Sequence, residues 1–194
     1  SMKRDFLCLA DLGERGVERA LDAADRYRAL RRSPSAPRPL AGLSAALLFD
    51  KASTRTRVSL EVAVFELGGH PITLTSQGSQ LGRGETPADT ARTLERYVDV
   101  VTYRTFETAR IVELARSTRV PVINALTDDA HPLQLLADLQ TVRMAHGRLA
   151  GLRYAWIGDG NNMARSWIEA AGLLGLDLAL ACPEGFDPPR SEEH

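Results

Sequence analysis

The sequence predicts an α/β fold: a parallel sheet flanked by helices on both faces, forming a complete N-terminal domain, followed by the start of a second α/β domain. Three observations carry this expectation. Short apolar runs of strand length alternate with helical periodicity along the whole chain, the pattern of parallel strands covered on both faces. A long helical stretch over 132–147 closes at His146-Gly147, and the rhythm restarts beyond Gly151, which divides the chain into 1–147 and 148–194. The restarted part holds one strand–helix–strand unit and the tail EGFDPPRSEEH. That is too little to bury a sheet by itself, so the chain is expected to be a fragment of something longer.

The elements follow in order. GVERALDAADRYRALRR (16–32) sets Val17, Ala20, Leu21, Ala24 and Tyr27 along one side of a helix. SPSAPRP (33–39) is a Pro-rich connector. SAALLFD (44–50) is apolar enough for a core strand, and the helix over 54–67 stops at Gly68-Gly69. PITLTS (71–76) is a strand, followed by the Gly- and Ser-rich loop QGSQLGRGE (77–85). Thr86-Pro87-Ala88-Asp89 combines a capping box with Pro at the first helical position, opening a helix to about Tyr97. Strand DVVTYRT (99–105), helix 107–117 and strand VPVINAL (120–126) come next, and TDDAHPLQ turns into the helix at 132–147. The second unit reads as strand LRYAWIG (152–158), helix 161–175 and strand DLALACP (177–183).

Composition narrows the function. The 194 residues are 44% hydrophobic and 25% charged with net charge −1, ordinary for a soluble globular chain and against a general nucleic-acid binder. No apolar run reaches the ~18–20 residues that span a bilayer, and the start shows no signal-peptide pattern. Ser1-Met2 reads as a remnant of cloning ahead of a native start near Lys3. Cys8 and Cys182 lie far apart without metal-ligand spacing, as in a reduced cytoplasmic protein.

Ligands of open parallel sheets bind beyond the carboxyl ends of the strands. Four polar loops fall there: 50–56, 77–85, 104–107 and 127–134. In FDKASTRTRVSLE (49–61), Ser53 is the expected N-cap. Free amides of the first turn, the hydroxyls of Ser53, Thr54 and Thr56, and the fork of Arg55 would make a phosphate cradle. The competing reading is a solvated helix start with surface arginines. Arg57 faces elsewhere and is expected to pair with Glu61 one turn on. Arg104 closes a strand; His131 and Gln134 open a helix, the first titrating near neutrality and the second offering donor and acceptor. Each alone reads as structural, whereas together on one sheet edge they favour a site. GDGNN (158–162) lacks the G-x-G-x-x-G spacing of a dinucleotide turn, which leaves a nucleotide site there weakly supported beside a tight strand-to-helix turn with Asn161 or Asn162 as N-cap.

STRTR (53–57), YR (103–104), HPLQLLADLQT (131–141) and GDGNNM (158–163) resemble, in the same order, the motifs of the aspartate/ornithine carbamoyltransferase family, and GDGNNM resembles its ornithine-using branch. The resemblance implies that Ser53, Thr54, Arg55 and Thr56 bind the phosphate of carbamoyl phosphate, and that Arg104, His131 and Gln134 contact its carbamoyl group. It further implies that Arg55, Thr56, Arg104 and His131 carry catalysis. Gln80 matches a position that reaches a neighbouring subunit's site, and Asn162 one that touches L-ornithine. It also implies a homotrimer or larger homo-oligomer with sites between subunits, no metal or organic cofactor, and a role in arginine metabolism.

Family members carry further ornithine-binding motifs in a full second domain, ending in a His-Cys-Leu-Pro segment. These are not in this sequence, and Cys182 does not match that Cys. Little catalysis is therefore expected of the 194 residues alone. Other readings are a transferase acting on another amine, such as putrescine or a modified ornithine, and a non-catalytic carbamoyl-phosphate-binding fragment.

Overall fold

A computed structural model describes residues 3–78 and 84–188. Twelve elements alternate as expected: α1 (Gly13–Leu30), β1 (Ser44–Phe49), α2 (Thr54–Glu66), β2 (His70–Thr75), α3 (Pro87–Leu94), β3 (Val100–Arg104), α4 (Thr108–Arg116), β4 (Val122–Leu126), α5 (Pro132–His146), β5 (Arg153–Ile157), α6 (Asn162–Leu174) and β6 (Asp177–Ala181). None of the described helices is long and apolar enough to cross a membrane.

The first four strands form one parallel sheet in the order β2-β1-β3-β4. β1 is apolar from Ala45 to Phe49 because both its faces are covered, and all five of these residues are buried. On one face Leu48, Val101, Tyr103 and Val122 pack with Ala91 of α3 and Ile111 and Leu114 of α4. On the other, Ala45, Leu47 and Phe49 meet Val64 of α2. β2 is an edge strand, which is why it tolerates Pro71, a residue without an amide to donate.

A separate core joins Val17 and Leu21 of α1, Leu135 and Leu139 of α5 and Ala170 of α6. Each fully buried leucine there contributes roughly 1.5–3 kcal/mol relative to exposure. α6 is thus seated on helices of the first unit, and its Glu169 accepts the Ala10 amide at 2.7 Å. Among the described residues β5 and β6 pair only with each other, in a parallel two-stranded sheet, and Ile157 is 83% exposed.

Element ends differ from the sequence expectation for local reasons. α3 stops at Leu94 rather than near Tyr97, because the Tyr97 and Val98 amides both turn back to the Leu94 carbonyl. β4 starts at Val122 rather than residue 120; Pro121 contributes only its carbonyl, to the Val101 amide. Thr86 caps α3 as expected, its hydroxyl accepting the Asp89 amide at 3.1 Å.

Functionally, the strand order matters most. From β1 the chain passes to β2 on one side and later to β3 on the other. This reversal opens a crevice beyond the carboxyl ends of β1 and β3.

Candidate functional site

The crevice is lined by the segment leaving β1 and by the last residue of β3. Ser53, extended at φ −160°, caps α2 and accepts the Thr56 amide at 3.3 Å. Arg57 turns away to Glu61, at 3.0 Å. Thr56 stays in the crevice, its Oγ1 accepting from Arg104 Nη1 at 2.8 Å. A hydroxyl oxygen occupied as an acceptor still has its own hydrogen to give, so Thr56 is set to donate to a third group.

Two further nitrogens of the crevice lack partners. Arg104 Nε and His131 Nδ1 are buried without a hydrogen-bond partner among the described residues. Leaving such groups unsatisfied costs about 1–3 kcal/mol, more when charged, so their convergence beside Thr56 fits a ligand that accepts hydrogen bonds. Electrostatics agrees on its sign. Burial, with the neighbouring Arg55, pulls the Arg104 guanidinium below its ordinary pKa. Burial, with Arg104 beside it, pushes His131 down to about 4. Arg104 disfavours charge on His131 and is itself disfavoured by Arg55, and an anion among them would relieve both.

His131 is therefore neutral at pH 7 and charges only in acid. The unfolded imidazole takes up its proton near its ordinary value of 6.5 and the folded one near 4. The stability that this adds is complete above about pH 6.5 and is lost as pH falls towards 4. Melting temperature measured between pH 7 and 4 should fall, and His131→Gln should flatten that part of the curve.

The second unit grips the loop that delivers His131. The His131 amide donates to Ser166 Oγ at 3.0 Å, and Asn162 Nδ2 donates to the Thr127 carbonyl at 2.9 Å. Asn161, rather than Asn162, caps α6, accepting from the Met163 and Ala164 amides at 2.9 and 3.1 Å. Arg165 pairs with Asp129 of the same loop.

Behind the crevice lies a knot around Asp50. Its Oδ2 accepts from Tyr103 Oη at 2.5 Å, Thr105 Oγ1 at 2.8 Å and Arg110 Nε at 3.3 Å, and the side chain is only 11% exposed. Burial and the bond to Asp50 hold the Tyr103 phenol up to about 12. Lys51 lies 5.1 Å above the Phe106 ring and 3.6 Å from Asp128. The cradle segment is thereby tied to the loops after β3 and β4.

Of the residues singled out from sequence, Ser53, Thr56 and Arg104 are linked directly by these bonds, with Arg55 and His131 close enough to perturb Arg104 or be perturbed by it. Thr54 is exposed in the first turn of α2. Gln134 is exposed and donates to Asp138 at 2.9 Å, one turn along its own helix. Gln80 lies outside the described residues. Sequence reasoning passed over Asp50; a carboxylate ending an otherwise apolar strand was the available signal. Among the described residues no group of His, Cys, Asp and Glu is arranged to hold a metal ion. A groove of about 1210 Å³ runs beside α1, but its charges alternate, Arg15, Arg19 and Arg26 with Asp11, Asp22 and Asp25. It offers no single charge sign to select a ligand.

Comparison with known proteins agrees with the crevice chemistry. The profile described as "Aspartate/ornithine carbamoyltransferase, carbamoyl-P binding domain" matches residues 4–144, and that of the "Asp/Orn binding domain" matches 150–193. An ornithine carbamoyltransferase of Parafrankia is 53% identical over 186 residues, covering 95% of this chain and 59% of the relative. One from Geobacter metallireducens is 51% identical over 191 residues, covering 98% and 63%. Among solved structures, the ornithine carbamoyltransferase of Pyrococcus furiosus superposes with TM-score 0.91 at 43% identity, over 96% of this chain and 60% of that one. The catalytic subunit of M. jannaschii aspartate transcarbamoylase gives 0.85 at 29% identity, over 96% and 63%. The chain thus spans about three fifths of the length of these relatives. With both profiles matched in order and the anion-seeking crevice within the first, the chain belongs to the aspartate/ornithine carbamoyltransferase family.

Proposed function

We propose that this chain carries the carbamoyl phosphate half of an ornithine carbamoyltransferase site. In this reading residues 1–147 bind carbamoyl phosphate and 148–194 begin the ornithine-binding domain. The complete protein transfers the carbamoyl group to the side-chain amine of L-ornithine, giving citrulline and phosphate in cytoplasmic arginine metabolism. The observation that carries the reading is the convergence of unpartnered Arg104 Nε and His131 Nδ1 with Thr56 at the sheet's switch point. The choice of ornithine is supported by relatives of that name at 53% and 51% identity.

The chemistry follows from the donors. The deprotonated δ-amine attacks the carbamoyl carbon, whose C=O electrons move onto oxygen. Arg55, Thr56, Arg104 and neutral His131 polarise that oxygen. As the tetrahedral intermediate collapses, the C–O bond to phosphate breaks, phosphate departs with the electron pair, and the nitrogen loses its proton. Ser53, Thr54, Arg55 and the amides opening α2 hold the departing anion. Gln134 adds a contact to the carbamoyl amide on turning from Asp138, and Asn162 lies on the ornithine side. Gln80 reaches a neighbouring subunit's site in a homotrimer or larger assembly.

Calorimetric titration of the chain with carbamoyl phosphate and then ornithine tests this. Saturable binding of the first alone is expected. Arg55→Ala removes charge-assisted bonds worth about 1.5–3 kcal/mol each and should weaken binding by roughly 10–100-fold. Unchanged affinity in that variant would remove the cradle from the reading. In the complete protein, citrulline formation compared with carbamoylation of putrescine decides the acceptor.

A further inference from the structure

β3 and β4 pair in register through Tyr103↔Asn124, after which Arg104 stands opposite Leu126 and Ala125 has no counterpart. This is a β-bulge, a device that re-aims neighbouring side chains and recurs beside functional sites. The bulge takes the Leu126 amide out of the ladder. That amide donates instead to Asn124 Oδ1 at 2.8 Å in a buried setting, while Asn124 Nδ2 donates to the Leu7 carbonyl at 2.9 Å.

Leu126 itself has φ +149°, a backbone region that disfavours side chains. Gly158, at the corresponding end of β5, has the same φ of +149°. The second unit thus builds its strand exit with glycine where the first forces a largely buried leucine into the same angle. Strain of this kind persists only when the surroundings over-determine it. Here they do: Thr105 donates to the Leu126 carbonyl at 3.0 Å, and Thr127, fully buried, donates to the Ala130 carbonyl at 2.9 Å.

The location gives the bulge its meaning. Arg104 lies directly across from it, and the chain leaving it leads through Thr127 into His131. We propose that the Asn124–Leu126 bulge is the positioning element that aims both the Arg104 guanidinium and the His131 imidazole at the anion, with Leu126 and Asn124 as positioning residues. The inference rests on the anion-site reading above and adds to it the element that sets its geometry.

Comparison of Leu126→Ala with Leu126→Gly tests it, since both lose the side chain and only glycine relieves the backbone. At an ordinary position glycine is the less stable of the two; at a strained one the order inverts. Leu126→Gly should melt above Leu126→Ala by about 2–4 °C, yet bind carbamoyl phosphate roughly tenfold more weakly, since relaxing the strain lets both donors drift. A glycine variant melting below the alanine one overturns the strain, and one binding as tightly overturns the positioning.

A ligand-free readout separates this from failure of the anion reading. By NMR, the His131 imidazole of Leu126→Gly should titrate closer to the ordinary histidine value than that of Leu126→Ala. If the parent chain binds no carbamoyl phosphate, the anion reading falls. The inverted melting order together with that shift then still supports the bulge as positioning element, and an unmoved titration overturns it.

Discussion

Arg104→Ala is expected to lower carbamoyl transfer by the complete protein by about 10²–10³, the cost of removing one preorganised donor to a developing oxyanion. Arg104 donates to Thr56 Oγ1 and has a second, unspent donor in the crevice. Its loss also releases Thr56 from the geometry that aims its hydrogen outward. Arg104→Lys should recover little, because an ammonium supplies a point charge without the planar fork. Melting temperature should stay level or rise, since Arg104 is a desolvated cation pressed by Arg55, and removing an uncompensated buried charge favours the fold. Activity lost with stability retained is the signature to look for. A fall in melting temperature matching the fall in activity would make Arg104 a structural residue.

Asp50→Ala should produce the largest loss of stability. One carboxylate oxygen accepts from Tyr103, Thr105 and Arg110, and alanine leaves all three donors without it. Breaking a buried charged pair from one side typically costs about 3–5 kcal/mol. Arg110 keeps some solvent, with 34% of its side chain exposed, which sets the expectation at about 3 kcal/mol. For a chain of this size that corresponds to a melting temperature lower by on the order of 10 °C. Asp50→Asn, which keeps an acceptor oxygen, should lose less. Thermal melts at pH 7 check both, and an alanine variant within about 2 °C of the parent would show the knot to be energetically idle.

The local parts of this molecule were legible in the sequence, and its long-range parts were not. β1 could be read because an apolar run buried on both faces needs no partner information, and α2 because Ser53 and Gly68-Gly69 mark its ends. Ser53 as cap, Arg57 with Glu61 and Thr86 as cap are local and were anticipated. The switch between β1 and β3 could not be read, since strand order depends on which runs pair and not on the runs themselves. Asp50 was missed because its partners lie 53 to 60 positions away. Asn124 passed as an ordinary strand residue because the bulge that employs it exists only once β3 and β4 are paired.

The bond from the His131 amide to Ser166 Oγ has a thermodynamic corollary. It ties the peptide that carries a crevice side chain to a helix of the other unit, so a shift of α6 would be felt at His131. Coupling of that kind is reciprocal. On the proposed function, with Asn162 of α6 on the ornithine side, any factor by which ornithine alters the affinity of the crevice for carbamoyl phosphate must be the factor by which carbamoyl phosphate alters the affinity for ornithine. On that reading, the two substrates would communicate before they ever touch.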